Sequence, residues 1–144
     1  MKSTRTSWLV KLRPDLEPKV VPAPGRIGGV LVPTPLLVAG EIRRTRRGAL
    51  TTPSRVRAAL AKRFGAEVTC PLTTGIFLNI IAGAAEEQIE QGRRPVAPYW
   101  RVIQDDGTLS PKRPPGPARQ AAWLTAEGHR VKRSARKGWQ VERG

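Results

Sequence analysis

Few side chains in this sequence are equipped for covalent chemistry. The single cysteine, Cys70, and the single histidine, His129, lie far apart in the chain. One thiol excludes an internal disulfide, and one thiol with one imidazole cannot assemble a Cys/His zinc cluster, so no metal site and no cofactor are expected. Cys70 precedes Pro71 at a predicted helix start, where the helix dipole and nearby cations favour a thiolate. Against a nucleophilic role, no histidine is near it in sequence, and a lone cysteine among apolar neighbours more often fills a core. The expected function does not use it.

Charge is the stronger signal. With 26 Lys and Arg against 11 Asp and Glu, the net charge is +15, a field that attracts polyanions and releases their counterions on contact. Nucleic acid is the first partner to consider, although charge alone does not separate DNA from RNA and a merely solvated basic surface is the bland alternative. The distribution sharpens the case. Between residues 42 and 66 there are eight cations (Arg43, Arg44, Arg46, Arg47, Arg55, Arg57, Lys62, Arg63) and no acid. A second group, Arg130, Lys132, Arg133, Arg136, Lys137 and Arg143, surrounds Trp139 near the C-terminus. Sparse cysteine, the absence of an apolar run approaching roughly 20 residues, and a start without a signal-like apolar block predict a cytoplasmic, nucleoid-associated protein with no membrane partner. A length of 144 residues suits one domain, expected to be a monomer.

Three predicted helices must position these charges. Thr34-Pro35 reads as an N-cap followed by proline at the first helical position and opens a helix over 35–46. Thr52-Pro53 repeats the pattern for a helix over 53–64, with Val56, Leu60 and Phe64 on its apolar stripe and Gly65 as its stop. A third helix begins near Pro71 and carries Ile76, Phe77, Ile80, Ile81 and Ala84 inward. The run Tyr99–Ile103 is β-prone and stops at the turn Asp105-Asp106-Gly107. Pro111–Gly116 is a stiff basic loop, 117–126 a short helix with Trp123 and Leu124 inward, and 129–141 one or two strands or a tail. Before all of this, the breaker-rich residues 1–33 read as an arm and not a core, within which 7–12 and 29–32 could be edge strands or could pack over the domain. Three helices, then a strand, a turn and a basic loop, predict a winged helix-turn-helix.

Several weak matches in the right order give a family. Pro98-Tyr99-Trp100-Arg101-Val102, then Gly107, then Ala122-Trp123-Leu124 before Glu127-Gly128, resemble the C-terminal domain of methylguanine-DNA methyltransferases, whose pattern reads Pro-Cys-His-Arg-Val, a Gly turn and a leucine-rich helix before Glu-Gly. Upstream, Gly48-Ala49-Leu50-Thr51-Thr52 with Val56 and Leu60 is similar to the start of that family's helix-turn-helix. The likeness spans residues 34–131. It implies an α/β, mainly α, winged-helix DNA-binding domain at 34–131, flanked by the arm at 1–33 and a basic extension at 132–144.

The departures decide the expected activity. Tyr99 stands where the family has its alkyl-accepting cysteine and Trp100 where it has the activating histidine; a phenol with pKa near 10 is a poor nucleophile at neutral pH, and indole offers no base. The family's phosphate-rotating tyrosine falls at Pro53, and the arginine that fills the vacated base stack falls near Thr74. The sequence is therefore similar to the non-enzymatic alkyltransferase-like branch, which binds alkylated bases to flag them for excision repair. That resemblance implies duplex DNA, alkylated or distorted, as partner, with repair proteins beyond it. A general nucleoid- or RNA-binding adaptor on the same fold is the alternative.

Roles follow from this reading. Thr73, Thr74 and Gly75 in the first turn of helix three, with Asn79 one turn on, are expected to approach the DNA. Ser54 and Arg55 are expected to touch phosphate, Lys112 and Arg113 to act as the wing, and Arg101 to brace the site by hydrogen bonds. Tyr99 and Trp100 either line a base pocket by stacking or are core residues of a closed site.

Overall fold

A computed structural model of the chain describes residues 7–142; the first six residues, Arg143 and Gly144 lie outside them. Four α-helices dominate: α1 (Pro35–Arg43), α2 (Pro53–Phe64), α3 (Pro71–Glu90) and α4 (Pro117–Ala126). Two small sheets complete a mainly helical α/β fold. One has the order β1 (Lys19–Ala23), β2 (Arg26–Val32), β3 (Val68–Thr69); the other is the hairpin β4 (Val131–Ser134), β5 (Gly138–Val141).

The helix starts follow from local chemistry. Thr34 and Thr52 each accept a hydrogen bond from the amide three residues on, Leu37 and Arg55, and proline occupies the next position in both helices. Gly65 closes α2 in the left-handed conformation, φ +66°. α1 ends at Arg43, short of the predicted residue 46, because the amides of Arg44 and Thr45 and the Thr45 hydroxyl all turn back to the carbonyls of the last turn. Phe64 does not join the buried stripe and is exposed. At 3.6 residues per turn, a residue eight positions beyond Val56 has rotated away from it by about 80°.

In α3 the buried row is Thr74, Leu78, Ile81, Ala85 and Gln88, and from Ile80 to Ala85 every residue is buried. Ile76, expected inward, faces out. The helix middle is enclosed because α1 packs on one side and a single 3-10 turn, Trp8–Leu12, packs on another, with the Trp8 indole lying on Gly83.

Residues 7–33 of the expected arm are thus part of the folded body, and its first six residues lie outside the described ones. β2 pairs antiparallel with β1 and parallel with β3, in the registers Val30↔Val21 and Val30↔Val68, and buries Leu31 completely. Proline at 22 is tolerated because β1 is an edge strand. Gly29, at φ +75°, passes so close to β1 that a Cβ would fall 2.5 Å from the Val21 carbonyl oxygen. Residues 132–141 of the expected extension are also integrated: β4 and β5 pair, Leu109 N–H donates to the Trp139 carbonyl at 2.9 Å, and Val141 is buried. The β-prone run Tyr99–Ile103 forms a 3-10 turn, Tyr99–Arg101, and then a parallel bridge from Val102 to Thr51.

Replacing Gly83 by alanine places a methyl 2.3 Å from Trp8 Cγ. The indole must leave its seat, and the variant is expected to lose about 1–3 kcal/mol in urea unfolding. An unchanged midpoint would show that Trp8 does not pack there.

Candidate nucleic-acid interface

The cations of residues 43–63 occupy the α1–α2 loop and the outer side of α2. Arg43, Arg44, Arg46, Arg47, Arg55, Lys62 and Arg63 are exposed, and Arg57 is half-buried. Several are held within the fold. Arg43 donates to the Val96 carbonyl at 2.9 Å, Arg47 to the Ala126 carbonyl at 2.8 Å, and Arg63 pairs with Glu41. Arg44, Arg46, Arg55 and Lys62 have no side-chain hydrogen bond or ion pair among the described residues. A groove of about 390 Å³ runs between α2 and β3, with Ser54, Arg57, Lys62 and Thr69 on its walls and Glu67 as its acid.

Of the other residues expected at the α2 start and the α3 start, the structure keeps some outward and removes others. Ser54 is half-buried and its hydroxyl is occupied, donating to Asp105 at 2.7 Å and accepting from Arg57 at 3.3 Å, which leaves Arg55 as the open group at that helix start. Thr74 is 0% exposed and its hydroxyl donates to the Cys70 carbonyl at 2.7 Å, so it cannot reach DNA. Thr73, Gly75 and Asn79 are half-buried. Cys70 is the N-cap of α3: its sulfur lies 3.0 Å from the Thr73 hydroxyl and 3.5 Å from the Thr73 amide, and these contacts lower its pKa from the ordinary thiol value. Sequence reasoning missed Leu72 and Ile76, exposed to 74% and 51% on this face, because an apolar residue in an apolar helix reads as core.

Behind this surface lies an aromatic block pinned by two carboxylates. Tyr99 and Trp100 are 1% and 7% exposed. Their rings meet edge to face at 5.4 Å, and Trp100 stacks on Trp123 at 4.7 Å. A base cannot stack on a Trp100 face that Trp123 already covers, so these two residues form a packed block and not an open base pocket. Glu86 receives the Tyr99 hydroxyl at 2.6 Å, the Trp123 indole N–H at 2.8 Å and the Arg119 Nε at 3.1 Å. Burial first, and then the bond to Glu86, push the Tyr99 phenol above its ordinary value of 10, so it stays protonated.

Glu127 receives the Trp100 indole at 2.9 Å, the Arg101 guanidinium at 2.8 Å and the Gly48 amide at 3.2 Å. Arg101 also donates to the Thr45 carbonyl at 2.8 Å, so its fork is engaged inside the fold. Burial alone would raise the pKa of Glu127, but those donors outweigh it and hold the carboxyl at about 2.

The 111–116 loop presents Lys112 to solvent but turns Arg113 inward, 7% exposed, with its Nη1 3.3 Å from the Val102 carbonyl. Arg113 is therefore not a wing residue. Gln120 donates to the carbonyls of both Trp100 and Val102 and helps fix the loop's inner neighbour. The outward cations on this side belong to the β4–β5 hairpin: Arg130, Lys132, Arg133, Arg136 and Lys137 are all exposed, with Arg133 lying over the Trp139 ring at 5.4 Å. No group of three or more His, Cys, Asp or Glu suited to a metal occurs among the described residues, and no described helix is long and apolar enough to cross a membrane.

The depressed carboxyl of Glu127 couples stability to acid. Its contribution, on the order of 3 kcal/mol, is fully present above its unfolded value near 4.5 and is lost as pH falls from there through about 2. Glu127→Gln is expected to remove that dependence in urea melts at pH 2 to 6. An equal pH dependence in the variant would place the acid sensitivity elsewhere.

No family model matches the chain, and no curated protein matches it by sequence. Two solved structures resemble it in fold. The crystal structure of S. pombe Atl1 in complex with damaged DNA containing O6-carboxymethylguanine aligns with a TM-score of 0.52 at 19% identity, over 75% of this chain and 87% of Atl1. S. pombe ATL in complex with DNA aligns at 0.51 and 19%, over 73% and 84%. The chain has the fold of Atl1.

Proposed function

We infer that the protein binds duplex DNA and recognises alkylated or distorted sites without transferring an alkyl group. The observation that carries this reading is the Atl1 fold, seen in two DNA complexes, on a chain whose α1–α2 loop and α2 present open cations to solvent. Arg44, Arg46, Arg55 and Lys62 have the exposure and the freedom from internal partners that phosphate contact requires. The hairpin cations extend the same field as a wing, with Lys112 beside them. Binding of this kind is steered by charge and positioned by phosphates.

The non-enzymatic part rests on the block at Tyr99 and Trp100. A phenol held protonated against Glu86 and an indole donating to Glu127 supply neither thiolate nor base. After incubation with methylguanine-containing duplex, the intact mass is expected to stay unchanged; a gain of one alkyl group would overturn this part.

A second reading, a general nucleoid- or RNA-binding adaptor, is favoured by one observation, the packed state of that same aromatic block. Fluorescence anisotropy with plain duplex, methylguanine duplex and structured RNA decides between them. Preference for the lesion supports the proposal, equal affinity for both duplexes supports the second reading in its DNA form, and RNA preference supports its RNA form.

For the interface itself, Arg44→Ala with Arg46→Ala is expected to reduce the slope of log K against log salt by about two. Lys112→Ala is expected to reduce it by about one, and Arg113→Ala to lower stability with little change in slope. An unchanged slope in the first pair removes the α1–α2 loop from the contact surface.

A further inference from the structure

We propose that the β4–β5 hairpin carries a stacking pocket for an unpaired nucleotide of DNA, with Trp139 as the platform and Arg133 as the cation at its edge. The inference rests on the duplex-binding reading and deepens it: beside the duplex, the hairpin takes a base from a strand end or a gap and not phosphates alone.

Strand alternation sets the geometry. Val131 pairs with Val141 and Arg133 with Trp139; residues two apart on a strand share a face, so these four side chains lie on one side of the hairpin. At one end of that face Val141 is buried and Val131 packs against the core. At the other end, next to the turn, Trp139 is half-buried and Arg133 is exposed, with the guanidinium carbon over the ring at 5.4 Å from its centre. Part of Trp139 rests on the core, and part lines a cavity of about 620 Å³ that Arg133, Pro111 and Pro117 also line.

The lining decides what fits. An indole, two proline rings and a guanidinium, with no carboxylate among them, suit a flat ring attached to a negative charge. The space is of the size that holds a small organic ligand. Volume alone does not make such a site: the cavity of about 830 Å³ beside Trp8 has Glu86, Glu87 and Glu90 on its walls, which repel phosphate.

Charge around the pocket points the same way. Arg130, Lys132, Arg133, Arg136 and Lys137 are exposed, and none of them forms an ion pair among the described residues. Asp106 is within electrostatic reach of Lys137, but its Oδ1 is already taken by the amide and hydroxyl of Thr108. Bases inside a duplex are paired and stacked and offer no free face to an indole. An unpaired base does, and because every base has a π-face the contact is blind to sequence.

The full chain is titrated by fluorescence anisotropy with one duplex in three forms: blunt, with a short thymidine overhang, and with an abasic overhang of equal length that keeps the phosphates and lacks the bases. Wild type is expected to bind the thymidine overhang about 5- to 100-fold more tightly than the abasic one, with equal salt slopes. Trp139→Ala should bring that ratio close to one, and Trp139→Phe should keep most of it. A merely structural tryptophan would not give this pattern, because a weakened fold lowers both affinities together. If Trp139→Ala does not fold, Trp139→Leu, which keeps apolar volume and loses the flat face, reads the same ratio. A wild-type ratio of one, or a full ratio in the alanine or leucine variant, overturns the pocket and leaves duplex binding standing. Tighter binding of a uridine RNA overhang than of the thymidine one overturns DNA as the pocket's partner. If the thymidine overhang is bound and the blunt duplex is not, the duplex reading falls and the pocket stands; if no form is bound at low salt, both fall.

Discussion

Two carboxylates organise a chain of net charge +15. Glu127 gathers donors from the α1–α2 loop, from the Tyr99–Arg101 turn and from Arg101 itself; Glu86 gathers Tyr99, Trp123 and Arg119. Between them lies the stacked pair Trp100 and Trp123. Removing one partner of a buried, hydrogen-bonded ion pair such as Arg101–Glu127 costs about 3–5 kcal/mol, because the other charge is left without compensation. The cationic loop from Arg43 to Gly48 has few apolar residues of its own to anchor it. Its shape is fixed by Arg101 at the Thr45 carbonyl, Glu127 at the Gly48 amide and Arg47 at the Ala126 carbonyl.

That arrangement accounts for the division of labour on the surface. Arginines that hold the loop point at carbonyls, and those next to them in sequence, Arg44 and Arg46, are released to solvent. A flexible basic loop would lose side-chain and backbone entropy on meeting a polyanion; a loop already fixed from inside loses less. The same carboxylates take the polar edges of Tyr99 and Trp100 out of play, which leaves these rings as a packed support behind the α1–α2 loop.

Local signals were legible in the sequence, and long-range ones were not. Thr-Pro at 34–35 and 52–53 and Gly65 act within one helical turn, so α2 is found where the sequence places it. The Ile42–Ala66 charge run needs no fold to be seen. β2 was legible only as the short run 29–32, an edge strand or a packed piece, because its glycines, which allow close passage beside β1, look like breakers. The roles expected of Thr74 and Arg113 failed for one reason: spacing along the chain does not tell which side of a turn faces the core. Thr74 points inward, its hydroxyl donating back to the Cys70 carbonyl, and Arg113 tucks against the Val102 carbonyl. Leu72 and Ile76 were invisible for the opposite reason, since exposure of an aliphatic residue has no sequence signature.

Amide chemical shifts report directly on the surface proposed to meet DNA. A titration of isotope-labelled protein with short duplex at low ionic strength is predicted to move the resonances of Arg44–Gly48, Arg55, Lys62 and Leu72–Asn79 together, with the β4–β5 hairpin following. Duplex that leaves those residues unmoved would contradict it.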